Sequence, residues 1–175
     1  MAEREVFVSA DDTQTANFSV MLTGNGRHRI TVADQSVQVR SAQVVRLGNG
    51  QIITWATGRG LGQLIVKGAS RDGVVVLTSS DSKRRPLISV YVRAGSTATV
   101  RGVPDNSYYV YCATGSSWAP SLKRFLSSQE RVRFRSKMRF TTTSTQYTSW
   151  TIGLKTVKTG GEPVETVSEA DFPAM

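Results

Sequence analysis

Arg131-Val132-Arg133-Phe134-Arg135-Ser136-Lys137-Met138-Arg139-Phe140 alternates charge with apolar bulk at a period of two. Successive side chains of an extended strand point to opposite faces, so this spacing predicts a strand with Arg131, Arg133, Arg135, Lys137 and Arg139 along one face. Val132, Phe134, Met138 and Phe140 take the other face, with Ser136 between them. A slip of one residue would bury five cations, so the apolar face fixes the register. Neighbouring cations stand ~6.7 Å apart, inside the ~8 Å screening length, and each pair repels by about 0.6 kcal/mol in water before screening. Four such pairs cost about 2 kcal/mol, which a stable domain can carry.

The same period runs through most of the chain. Phe18, Val20 and Leu22 alternate, as do Ile30 with Val32 and Val37 with Val39, and further runs cover 51–56, 63–67, 73–78, 87–92, 96–100, 108–112 and 150–155. Gly24-Asn25-Gly26, Gly48-Asn49-Gly50 and Asp72-Gly73 punctuate them with the residues that tight hairpins need for positive φ. Many short strands at this spacing predict an all-β, antiparallel β-sandwich or jelly roll. One short helix is expected near 120–130, where Leu122, Phe125 and Leu126 share a helical face behind Pro120; a hairpin arm is the alternative.

A mass of 19.1 kDa suffices for one ordinary domain with its own core, read here as residues 1–160, followed by an acidic tail at 161–175. Charge divides the same way. Up to Gly161 there are 22 basic and 9 acidic residues, whereas the tail carries Glu162, Glu165, Glu169 and Asp171 and no base. Met1–Val20 contains Glu3, Glu5, Asp11 and Asp12 and lacks an apolar core of the kind a signal peptide needs. With no membrane-length apolar run either, a soluble chain is expected, cytoplasmic or particle-associated rather than in the envelope.

Catalytic chemistry finds little support. Cys112 is the single cysteine, alternates with Val110 and is expected to face the core, and His28 stands alone between Arg27 and Arg29. No metal cluster or cofactor motif follows from such an inventory. Gly58-Arg59-Gly60-Leu61-Gly62 lacks the strand-then-helix setting of a phosphate loop, and Asp72, Asp81 and Asp105 read as turn residues serving the backbone. The expectation is a protein that is not an enzyme.

Arg131, Arg133, Arg135, Lys137 and Arg139 are therefore the candidate anion-binding residues. Four of the five are arginine, the side chain suited to bidentate contact with phosphate or carboxylate. Nucleic acid, acidic polysaccharide, an anionic lipid surface and an acidic peptide all fit, with Lys123, Arg124 and Lys83-Arg84-Arg85 as possible extensions of the patch. The plain alternative is a solvated face balanced by cross-strand acids. Glu162, Glu165, Glu169 and Asp171 are an internal candidate partner, lying along the basic row in their own subunit or in a neighbour and guiding a homo-oligomer. A small capsid or shell protein, its basic face toward nucleic acid, is a second reading, opposed by the acidic N-terminus.

Val103-Pro104-Asp105, Tyr108-Tyr109-Val110-Tyr111, Trp118, Lys123-Arg124-Phe125, Phe140-Thr141-Thr142-Thr143-Ser144-Thr145-Gln146-Tyr147, Trp150 and Gly160-Gly161 through Phe172-Pro173 form a pattern over Leu87–Pro173. It resembles a family of uncharacterised β-rich domains of actinobacteria, often joined to the envelope by a leader or membrane segment. The resemblance implies an all-β fold and an envelope-associated binding or structural role, and brings no catalytic residues. The absence of a leader in Met1–Val20 departs from that pattern.

Overall fold

The computed structural model describes residues 26–32, 35–79, 85–154 and 163–175. Their regular structure is almost wholly strand, and the chain divides into two compact units, Met1–Gln43 and Val44–Met175. That boundary falls inside the span read from sequence as one domain, and the tail belongs to the second unit. In the first unit, β1 (Gly26–Val32) and β2 (Gln35–Ser41) pair as an antiparallel hairpin, from Gly26 opposite Ser41 to Val32 opposite Gln35.

The second unit holds two sheets. The larger comprises β3 (Ile52–Trp55), β5 (Asp72–Ser79), β6 (Pro86–Val92), β8 (Asn106–Ala119), β9 (Arg124–Phe134), β10 (Met138–Phe140) and β12 (Val164–Thr166). Its order is β12-β9-β8-β5-β6-β3, with β10 also on β8. The smaller contains β4 (Gly62–Lys67), β7 (Thr97–Val103) and β11 (Ser149–Gly153), in the order β11-β4-β7. Among the described residues all pairings are antiparallel except β11 with β4, which run parallel. Among the described residues no helix is long and apolar enough to cross a membrane.

The sheets face each other across a largely aliphatic core that also takes in Tyr108, Phe134 and Phe140. Leu64, Val66, Val100 and Ile152 of the small sheet meet Val75, Leu77, Ile88, Val90 and Val110 of the large one. Cys112 lies in this core at 2% exposure, as its alternation with Val110 predicts, and burial pushes its thiol up to about 12.

The central strand β5 is buried on both faces, which is why Gly73-Val74-Val75-Val76-Leu77 is continuously apolar rather than alternating. Val75 and Leu77 enter the aliphatic core, while Val74 and Val76 join a second layer with Tyr91, Tyr111, Ala113, Trp118 and Phe125. Ile53 of β3 packs against this layer, as do Leu47 from the segment before β3 and Val167, Phe172 and Met175 from the C-terminal segment.

The expected helix near 120–130 is absent. Residues 120–123 turn between β8 and β9, with Leu122 N–H donating to Ala119 O at 3.1 Å and Lys123 in the left-handed region at φ 49. Tertiary packing decides between two readings of one spacing. Phe125 sits opposite Trp118, their rings edge to face at 5.0 Å, and Tyr91 completes the aromatic cluster. A strand buries Phe125 and leaves Leu126 at 44% exposure, whereas a helix would have turned both to one side. Gly115 makes room for this cluster, since a Cβ there would lie 2.7 Å from that of Phe125.

Asp72, expected to serve a turn, anchors the first edge of the outer layer instead. Its carboxylate accepts from Arg46 Nε and Nη2, both at 2.9 Å, from the Tyr91 hydroxyl at 2.7 Å and from Ala94 N–H at 2.7 Å. Burial disfavours the charged carboxylate, but these donors outweigh it and hold the group at about 2.

Candidate anion-binding site

The basic run is two strands rather than one. β9 ends at Phe134 and β10 begins at Met138. Both pair with β8, Arg133 opposite Tyr111 and Met138 opposite Tyr108. Four residues, 134–137, thus span a stretch that β8 covers with two, a bulge of two extra residues. An even insertion leaves the side-chain phase unchanged, so Val132, Phe134, Met138 and Phe140 are all buried in the core as the alternation predicts.

The cations meet two different environments. Arg131 and Arg133 flank the C-terminal segment, whose strand β12 runs antiparallel to β9 with Glu165 opposite Arg133. Arg133 pairs with Glu165, and Glu169 bridges Arg124 and Arg131, the latter at 3.0 Å. Arg131 also donates to Gln129 Oε1 at 2.7 Å. Two backbone bonds extend the pairing past both ends of β12, Arg135 N–H to Pro163 O and Val167 N–H to Arg131 O, each at 3.0 Å. Phe172 then packs its ring edge to face on Tyr111, at 5.9 Å.

Tyrosines of β8 floor the row. The Arg133 guanidinium lies 5.3 Å from the Tyr109 ring centre and 5.8 Å from that of Tyr111, and Lys137 Nζ lies 4.9 Å from Tyr109. Arg133 is raised above its ordinary value, first by the Tyr111 hydroxyl and further by Glu165, with burial opposing. Among the described residues its buried Nε atom has no acceptor.

Arg135, Lys137 and Arg139 are exposed, and among the described residues no acid forms an ion pair with them. The Arg139 carbonyl accepts from Trp150 Nε1 at 2.9 Å, which ties β10 to the start of β11.

Of the four tail acids, Glu165 and Glu169 reach the row. Asp171 accepts from the Ser168 hydroxyl at 2.7 Å in the turn that brings Phe172 back to the sheet, and Glu162 lies outside the described residues. Arg124, at first only an extension of the patch, is a full member through Glu169. Lys83 and Arg84 lie outside the described residues, as do Phe18, Asp11 and Asp12, while His28 falls in β1. Tyr109 and Tyr111, which the sequence leaves equally open as stacking aromatics or as core or sheet-face residues, form the floor of the row.

Among the described residues no group of three or more His, Cys, Asp or Glu could hold a metal ion. Compared with known proteins, the chain matches no family model, no curated protein and no solved structure.

Proposed function

We propose that the Val44–Met175 unit is a non-enzymatic binding module that engages an anionic partner through the β9–β10 row. One observation carries this reading. Arg135, Lys137 and Arg139 are solvent-exposed, and they continue the line of two arginines that already hold carboxylates. Lys137 and Arg133 share the Tyr109 ring, which fixes flexible cations without neutralising them. The surplus of 18 basic over 8 acidic residues in 44–175 adds long-range attraction for an anion. A core thiol pushed up to about 12 is a poor nucleophile, which agrees with a role outside catalysis.

The test is titration of the full chain with heparin, single-stranded DNA and polyglutamate across a range of salt. Binding is expected to weaken steeply with salt. The triple variant R135A/K137A/R139A is expected to lower the salt slope by about 2–3, since each cation lost releases one fewer counterion. A shallow slope, or a triple variant that binds like wild type, removes the reading. Large particles co-purifying with nucleic acid would point instead to a shell protein.

A further inference from the structure

The strongest clue to the partner's chemistry is what β9 already holds. An extended segment lies beside it in β-register, presents Glu165 to Arg133, and turns Val167 into the outer apolar layer. Four residues on from Glu165, Glu169 meets Arg131 and Arg124. This is strand addition to a sheet edge, in which main-chain bonds supply affinity and alternate side chains supply selectivity. Phosphate backbones and polysaccharides cannot supply the N–H and C=O groups that pair with Arg131 O and Arg135 N–H.

The resident fits imperfectly. β12 spans three residues, Glu165 and Glu169 remain 40% and 60% exposed, and Arg133 Nε is buried without an acceptor among the described residues although Glu165 lies on the neighbouring Nη2. A carboxylate held by both guanidinium nitrogens would satisfy that donor. In sequence the segment follows β11 after residues 155–162.

We propose that the partner is an extended acidic peptide of another protein, carrying an acid, an apolar residue two positions on and a second acid four positions on. It adds beside β9 in place of Pro163–Met175, and the chain's own tail is an intramolecular placeholder that such a peptide displaces. This rests on the anion-binding reading above and narrows it to one class of ligand.

The experiment uses the full chain carrying E165R and E169R, whose tail is repelled from β9 while the β9 cations are unchanged. E165Q/E169Q takes its place in the same measurements if the charge-inverted chain does not fold. The probe is a synthetic peptide of residues 162–175. It is expected to bind the altered chain at least about tenfold more tightly than wild type, because the native tail belongs to the same chain and competes at an effective concentration of order mM. Hydrogen exchange at the Arg135 amide is expected to quicken in the altered chain and to slow again when peptide is added. Adding R131A/R133A is expected to abolish peptide binding.

Equal peptide affinity for wild type and altered chain, or binding that leaves the Arg135 amide unprotected, overturns the proposal. Binding of heparin or single-stranded DNA without binding of the peptide also overturns it, and leaves the broader anion-binding reading standing. Failure of both chains to bind heparin, DNA or peptide ends both readings.

Discussion

The two faces of the large sheet are closed in different ways. Its inner face meets a second sheet, strand against strand, through aliphatic side chains such as Leu77 and Val90 that are fully buried. Its outer face is aromatic and is covered by two stretches of chain, each pinned by charge: Arg46 on Asp72 at one end, and Glu165 with Glu169 on β9 arginines at the other. Apolar packing of the first kind is lost only when the unit unfolds. The second kind can open locally, because exposed ion pairs contribute only about 0–1 kcal/mol each and few main-chain bonds support them. Permanence and exchangeability thus sit on opposite sides of one sheet.

Breaking the inner face should cost most. L77A is expected to destabilise the unit by about 2–5 kcal/mol, read as a fall in the urea midpoint with an unchanged slope. The outer face should yield less and more locally. F172A is expected to cost about 1–2 kcal/mol, below the range for a fully buried Phe because Phe172 is only partly covered. Exchange at the Val167 amide should quicken while β5 amides keep their protection. Equal acceleration in β5 would erase the distinction between the faces.

The Asp72 anchor should fall next. D72N is expected to cost on the order of 1–2 kcal/mol at neutral pH. The carboxylate is held near 2 against an ordinary 3.8, so its contribution is present above about pH 4 and is lost as pH falls through about 2. Acid unfolding of wild type should therefore steepen in that window, and D72N should lack that component. Smallest of all in global terms, E165Q/E169Q is expected to change unfolding free energy by less than about 1 kcal/mol while exposing the Val164–Val167 amides to exchange.

Most of the architecture was legible in the chain because strand alternation is a local signal, and Val132, Phe134, Met138 and Phe140 are buried as it requires. The break at 135–137 was not legible, since a bulge of two residues preserves parity and leaves no mark on the pattern. Leu122, Phe125 and Leu126 satisfy helix and hairpin alike, and only Trp118 across the turn decides. Docking of the tail was foreshadowed by its charge, although Asp171 serves a turn and Arg124 was needed. The Asp72 anchor could not be read, because Arg46, Tyr91 and Ala94 lie 26, 19 and 22 positions away.

The parallel pairing of β11 with β4 has a consequence in time. β11 lies alongside β4 with Ser149 beside Gln63, so completing the small sheet requires residues 86 positions apart to meet. Loops of that span close slowly and gain nothing until they close. On a ribosome, β4 and β7 can pair early, but Leu64 and Val66 must wait for Trp150 and Ile152 to emerge. Until then a half-covered strand is open to chaperones and to aggregation.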